Sequence, residues 1–393
     1  MKIAVVVVTY NRKNSLMRLL NSLSKAYYND EVSLIISIDK SKTDEVELFA
    51  DQYEWTFGPK IVKKHEENLG LKKHILSVGN WLDEYDAIIV LEDDLVVSPS
   101  YYQFAKQAVE KYSDDSHIAG ISLYSFSINY QNGLPFEPIK DENDVYFMQC
   151  AMSWGQVWMK KAWHRFIEWY SKNESFTISP SIPSALYKFG DKSWLKYHTR
   201  YCIENESFFV FPYTSFSTNF SEQGTNHHKV KGGNSSVFQV RLQRGTPKQY
   251  LLPEFSKGQV KYDGYFENLS LYDVLGINAK DVCIDLNGEK HNSCNNKYWL
   301  TTEKHDYKVL RSYGLSYTPI EENIIQNSKG ASIYFYDTQV CEANALQPDI
   351  NKLLYQYKIS SMVQLLQNYG FKTLLKDIKY SLTRRIKRYV NKK

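Results

Sequence analysis

Glu92, Asp93 and Asp94 stand side by side at the end of an apolar run, 87–91. Adjacent carboxylates repel and each resists losing its water, so a soluble core gains nothing from such a cluster. The cluster suits a hard divalent cation, Mg²⁺ or Mn²⁺, that takes oxygen ligands and shares its shell with phosphates. Acidic residues also precede helices as caps, but Ser98 with Pro99 is available to cap the helix predicted over 101–112. Other polar groups could serve the same ligand. Thr9, Tyr10, Asn11 and Arg12 close the apolar run 3–8, where backbone amides and short side chains can hold a nucleobase and ribose. Asp39 closes a further run and either accepts a hydrogen bond from a base edge or ribose hydroxyl, or opens a turn. His227, behind Gly224, Thr225 and Asn226, can complete a metal shell or touch phosphate, although a lone histidine is more often structural.

The elements that must position these groups alternate between strand and helix, as in a parallel sheet with crossover helices. Strands are predicted over 3–8, 32–38, 61–64, 87–91 and 118–123, and helices over 15–23, 71–82 and 101–112. In a sheet of that kind ligands bind beyond the carboxyl ends of the strands, where the polar groups above stand. Residues 126–146, with Gly133, Pro135 and Pro138, read as a mobile irregular loop. A Trp-rich stretch, 154–170, enters a helix near Lys161. A helix and a short strand around Val210 fall within 181–230, and 232–236 reads as flexible. Beyond 250 the alternation is lost. The divisions expected are 1–125, 126–250, a C-terminal extension over 251–360 and a tail over 361–393, without internal repeats.

Bulk composition narrows the class. The chain has 393 residues, 43% hydrophobic and 23% charged, which favours a folded core over disorder. A net charge of +4 gives no general case for nucleic-acid binding. Aromatic residues make up 15%, which weakly supports sugar binding and equally suits packing. Five scattered cysteines without C-x-x-C spacing predict reduced thiols and argue against zinc or a disulfide scaffold. The apolar run after Lys2 is too short for a signal peptide or membrane span.

Taken together, the sequence Val-Val-Val-Thr-Tyr-Asn-Arg at 6–12, the Asn68-Leu69-Gly70 loop and Leu-Glu-Asp-Asp-Leu at 91–95 resemble glycosyltransferases of the GT-A fold. The Glu-Asp-Asp form is similar to the Golgi N-acetylglucosaminyltransferase that starts complex N-glycans. A closer resemblance is to bacterial transferases of polysaccharide gene clusters, through Ser153-Trp154-Gly155, Gly190-Asp191-Lys192-Ser193-Trp194 and Gly224-Thr225-Asn226-His227. It covers 1–230, with a looser likeness over 310–321.

The resemblance implies an α/β, Rossmann-like sheet and an acceptor-binding lobe. It implies transfer from a nucleoside-diphosphate sugar, above all a UDP-sugar, to a glycan hydroxyl, with Mn²⁺ or Mg²⁺. Asp94 and His227 (or His228) would hold the metal, and Glu92 and Asp93 would face the sugar and ribose. Asn68 and Gly70 would join the nucleotide site, and Asp191 would be the base of an inverting reaction. The helix-capping alternative for Asp191 stays open, as do Glu204 and Glu206 as rival bases. Trp154, Trp158 and Trp194 are expected to wall the acceptor cleft, whereas Trp163 and Trp169 fit a helix packing pattern. Rival readings are a sugar nucleotidyltransferase, which would want a glycine-rich loop that 9–12 lacks, and an inactive glycan-binding scaffold.

The tail adds a partner. Phe371, Leu374, Leu375, Ile378, Leu382, Ile386 and Tyr389 recur at helical spacing among nine Lys and Arg residues, opposed by Asp377. A basic amphipathic helix favours an anionic membrane surface, which predicts a cytoplasmic protein held peripherally at the inner face of the membrane. A solvated helix docked on the protein, or a disordered terminus, is the alternative.

Overall fold

The computed structural model describes all residues except 178, 180, 221–237, 259, 291–295, 360, 374, 377, 378 and 380–393. Its first strand, β1 (Ile3–Thr9), is buried along its whole length, as a central parallel strand with helices on both faces must be. Ile3, Val5 and Val7 point into one apolar cluster, and Ala4, Val6 and Val8 into another on the opposite face. Helix α1 (Lys13–Leu23) places Leu16, Leu19, Leu20 and Leu23 on the first of these faces. Strand β2 (Ser33–Ile38), helix α2 (Glu45–Gln52) and strand β3 (Lys60–Lys64) continue the alternation. Helix α3 (Gly70–Ser77) then covers the second face through Ile75.

The helix predicted over 71–82 ends early, and Val78–Asp83 tightens into a 3₁₀ turn. Trp163 lies so close to Gly79 that a Cβ there would fall 2.2 Å from the indole nitrogen.

Strand β4 (Ala87–Glu92) pairs in parallel with β1, so Glu92 lies beside Val8. β5 (Leu95–Val97) leads to α4 (Tyr101–Tyr112), whose bounds match the expectation. Its cap does not. Ser100 occupies the cap position, while the Ser98 hydroxyl donates to the Gln243 carbonyl and accepts from the Ser100 amide. Val97 is still paired with Ser217 in a strand, which delays the helix.

The remaining strands of the main sheet are β6 (Ile118–Ser122), β7 (Val145–Met148), β8 (Gln156–Met159) and β9 (Phe208–Pro212). β10 (Ser217–Asn219) pairs separately with β5, and β11 (Lys261–Tyr262) adds to the main sheet beside β7. The order is β11-β7-β9-β6-β8-β4-β1-β2-β3. β1, β2, β3 and β4 run parallel, whereas β8 enters antiparallel between β4 and β6. The second face is closed by α5 (Lys160–Lys172) through Trp163 and Phe166 and, after the short α6 (Ser184–Tyr187), by α7 (Leu195–Glu204) through Tyr197 and Tyr201. This is the mostly parallel α/β sheet, flanked by helices, that the GT-A reading implied.

The main sheet takes in residues beyond 250. After α8 (Leu271–Leu275), β12 (Val282–Asp285), β13 (Tyr298–Thr301), β14 (Tyr307–Tyr313) and β15 (Ile333–Cys341) form a four-stranded sheet with its own core around Ile284, Leu300, Ile333 and Phe335. Helix α9 (Glu322–Ile325) precedes β15, and α10 (Lys352–Gln356) and α11 (Met362–Tyr369) follow it. Among the described residues no helix is long and apolar enough to cross a membrane.

The cysteine reading needs correction. Cys150, Cys202 and Cys341 are free thiols, but Cys283 is disulfide-bonded. Spacing along a chain does not reveal which thiols a fold brings into range.

Candidate active site

A cleft of about 1090 Å³ opens beyond the carboxyl ends of β1, β2 and β4. Its walls include Thr9, Tyr10, Asn11 and Arg12 after β1, Asp39 after β2, and Glu92, Asp93 and Asp94 at the end of β4. Asn68 and Gly70, at the start of α3, line it too, as do Trp154, Asp191 and Trp194. Parallel pairing causes the convergence, because it delivers three strand ends to one edge.

The three acidic residues differ in their surroundings. Asp93 is 2% exposed; one oxygen takes the Thr9 hydroxyl at 2.7 Å and the other takes the Arg12 guanidinium. That ties Asp93, itself a cleft residue, to the end of β1. Asp94 receives Arg12 Nη1 on one oxygen and Asn219 Nδ2 on the other, both at 3.2 Å. Burial pushes the Asp93 carboxyl up to about 6, with Arg12 pulling it down and Asp94 pushing it further up. Burial and the charge of Asp94 push Glu92 up to about 8, against Arg12. Although protein closes in around it, Glu92 keeps some surface on the cleft.

Among the described residues no group of three or more His, Cys, Asp or Glu is arranged to hold a metal ion. A closed metal cage is therefore absent among them. A site of the Mg²⁺ type needs only one or two carboxylates and takes its other ligands from water and substrate phosphates. Asp94, with Glu92 beside it, fits that shared kind of site.

Asp39 is 4% exposed and fixes the loop across from it. Its oxygens accept the amides of Leu69 at 2.8 Å and Gly70 at 3.0 Å, and Lys40 N–H also donates to it at 3.0 Å. Asn68 Nδ2 donates to the Lys40 carbonyl, closing the loop from the other side. Gly70 adopts φ +71°, a left-handed conformation with open space where a Cβ would stand. Glycine is needed there for its backbone, not for room. Beneath the loop, Ser37 Oγ lies 2.8 Å from His74 Nε2, and burial pulls His74 down to about 4, with Asp39 opposing.

Asp191 sits on an exposed loop, 4.0 Å from the Lys196 ammonium. Helix α7 begins at Leu195 with Trp194 at its cap position, so Asp191 does not cap a helix starting near Lys192. The rival bases lie elsewhere: Glu204 pairs with Arg200 at 2.7 Å, and neither it nor Glu206 lines the cleft.

Trp158 is a correction. It is 1% exposed, stacks on Trp163 at 3.8 Å and does not line the cleft. On the four-residue β8 it faces the core beneath α5, whereas Trp154 precedes the strand and reaches the cleft. Trp194 also lines the cleft while largely buried, edge-on to Trp158. His227 and His228, with Gly224, Thr225 and Asn226, lie outside the described residues.

Asn219 is a cleft residue that the sequence did not announce; it reaches Asp94 from β10 across 125 positions, and no local motif marks it. Lys72, Lys73, Lys188 and Lys192 also line the cleft. Their closeness to Gly70 and Asp191 in the chain was the available signal.

Residues 4–203 match the family model described as Glycosyl transferase family 2. No curated protein matches the chain. Among solved structures, S. aureus TarS 1–349 in complex with UDP-GlcNAc is 15% identical, with a TM-score of 0.40 over 58% of this chain and 60% of that one. Mannosyltransferase PcManGT from Pyrobaculum calidifontis in complex with GDP-Man and Mn²⁺ is 9% identical, with a TM-score of 0.34 over 54% and 57%. GalNAc-T7 with UDP, GalNAc and Mn²⁺ is 16% identical, with a TM-score of 0.36 over 54% and 42%. The chain thus spans about three fifths of the TarS chain. At such identities and scores nothing about substrate passes from those proteins to this one.

Proposed function

Because this chain belongs to glycosyl transferase family 2, we propose that its cleft transfers a sugar from a UDP-sugar to a hydroxyl of a glycan or lipid-linked glycan, with inversion. One observation carries the reading: the polar ends of β1, β2 and β4 meet in one cleft with a solvent-exposed carboxylate, Asp191.

In this reading Tyr10, Asn11 and the loop held by Asp39 receive the uridine. Asn68 and Gly70 belong to that loop, and Thr9 and Asp93 brace the end of β1. Asp94 and Glu92, with His227 as a further candidate ligand, hold Mn²⁺ or Mg²⁺. When bound, such an ion neutralises the departing diphosphate. Asp191 accepts the proton of the acceptor hydroxyl as its oxygen bonds to the anomeric carbon, while the bond from that carbon to the diphosphate breaks on the opposite side. Trp154 and Trp194 offer aromatic surface to the acceptor sugar. The donor sugar in this proposal is a hexose or N-acetylhexosamine, and the product belongs to a bacterial surface polysaccharide.

The enzyme works, in the same reading, at the inner face of the cytoplasmic membrane. Supporting this, α11 exposes Val363, Leu366 and Tyr369, Phe371 and Leu375 follow, and nine cations lie in 371–393.

Thermal stabilisation by UDP-, GDP- and dTDP-sugars, with and without Mn²⁺, tests the proposal. Stabilisation by a UDP-sugar only with metal is expected. Stabilisation by no nucleotide sugar, with no transfer or donor hydrolysis, sinks it in favour of an inactive scaffold.

A further inference from the structure

The carboxyl end of β4 carries its own cation. Among the described residues, Arg12 alone forms ion pairs with Asp93 and Asp94. Arg12 stands at the cap position of α1, directly after β1, and its side chain is 22% exposed. Its two terminal nitrogens divide the work, since Nη2 takes Asp93 and Nη1 takes Asp94. The two holds are unequal. Asp93 is gripped closely and is also fastened by Thr9, whereas Asp94 lies 3.2 Å from Nη1, at the long end of the hydrogen-bond range. Among the described residues, the remaining Asp94 oxygen is held by the neutral amide of Asn219, also at 3.2 Å.

A planar guanidinium presents its two terminal nitrogens in a rigid fork and can hold one carboxylate on each, a geometry that a lysine ammonium does not fix. The arrangement offsets part of the cluster's negative charge before any ligand arrives. It also places a positive charge where a divalent cation would have to approach Asp94, and two cations sharing one carboxylate oxygen repel.

We propose that Arg12 is a positioning residue that competes with the divalent cation for Asp94. Anchored on Asp93, it gives up Asp94 when the metal enters and turns its freed nitrogen to the donor diphosphate. Metal and nucleotide then load together, because the nucleotide supplies the acceptor oxygens that Arg12 loses. This rests on the reading of Asp94 as a metal ligand.

The test separates the two steps. Mn²⁺ binding without nucleotide is followed by loss of the free-ion electron paramagnetic resonance signal, and UDP binding at saturating Mn²⁺ by calorimetry. For Arg12→Gln the two affinities move oppositely: Mn²⁺ alone binds about tenfold tighter, and UDP about tenfold weaker, roughly one charge-assisted contact each way. A merely structural role for Arg12 would weaken both or neither, and either result overturns the proposal. Arg12→Lys keeps the charge on Asp93 but not the fork, so it should shift both affinities the same way by less. It keeps the test valid if the glutamine variant does not fold, and unchanged affinities there would also refute it. Asp94→Asn is the control for the underlying reading. If it binds Mn²⁺ like the parent, Asp94 is not a ligand; if it loses Mn²⁺ while Arg12→Gln leaves Mn²⁺ binding unchanged, only the competition fails.

Discussion

The Asp39 carboxylate holds the amides of Leu69 and Gly70, one on each oxygen, at 2.8 and 3.0 Å. A residue at the end of β2 thereby fastens the start of α3, thirty positions further on. Charge-assisted bonds of this kind are the stronger ones, each contributing about 1.5–3 kcal/mol. Asp39→Asn replaces one accepting oxygen with a donor, so one amide is left facing another N–H. Amide exchange at 68–70 should quicken and UDP affinity should fall about tenfold. Exchange mass spectrometry and calorimetry check the two, and parental values in both would remove this residue from the nucleotide site.

Asp191→Asn is expected to cut transfer by about 10²–10⁴-fold, the usual contribution of a general base. UDP binding with Mn²⁺ should survive, because Asp191 is a loop residue outside the ion-pair network of the acidic cluster. Single-turnover transfer assays beside calorimetry distinguish this from collapse of the site. Near-parental turnover would rule the base assignment out.

Two tryptophans should behave oppositely. Trp158→Ala empties a fully buried position stacked on Trp163, and should cost about 3–5 kcal/mol of stability. Trp154→Ala should leave folding nearly intact and raise the acceptor KM. Denaturant melts and acceptor saturation curves read the two outcomes.

Stability should fall as pH rises, in part through Glu321. It is 4% exposed, and burial pushes its carboxyl from 4.5 up to about 7, against the pull of backbone and Tyr262 hydrogen bonds. The folded state holds a proton that the unfolded chain releases sooner. The contribution is therefore complete below pH 4.5 and is lost as pH rises through about 7. Glu321→Gln should pull ahead of the parent across that window, by about 3 kcal/mol at most. Urea titrations at pH 5 and pH 8 measure it, and an equal gap at both would contradict the assignment.

Removing 371–393 should shift the protein from the membrane fraction to the soluble one. Fractionation of both forms is the check, and an unmoved distribution would disprove a membrane role for the tail.

The first half of the sheet was legible because β1, β2 and β4 are long apolar runs ending in polar groups. Position along those runs also marked Thr9, Arg12, Asp39 and Asp94 as neighbours. β7 and β8 were missed, since four-residue strands after a loop rich in glycine and proline carry too little periodicity. The same brevity hid which face of β8 Trp158 would take. Asn219 could not be found at all, because only tertiary pairing of β10 with β5 carries it to Asp94.

The reversed direction of β8 has an evolutionary consequence. With Gln156 opposite Val90, the segment that feeds into β8 surfaces at the same rim where β4 leaves the sheet. Ser153 and Trp154 thus face the cleft from a separate stretch of chain. Selection can rework that lead-in and reshape one wall of the cleft, while the exits of β1, β2 and β4 keep their places on the other.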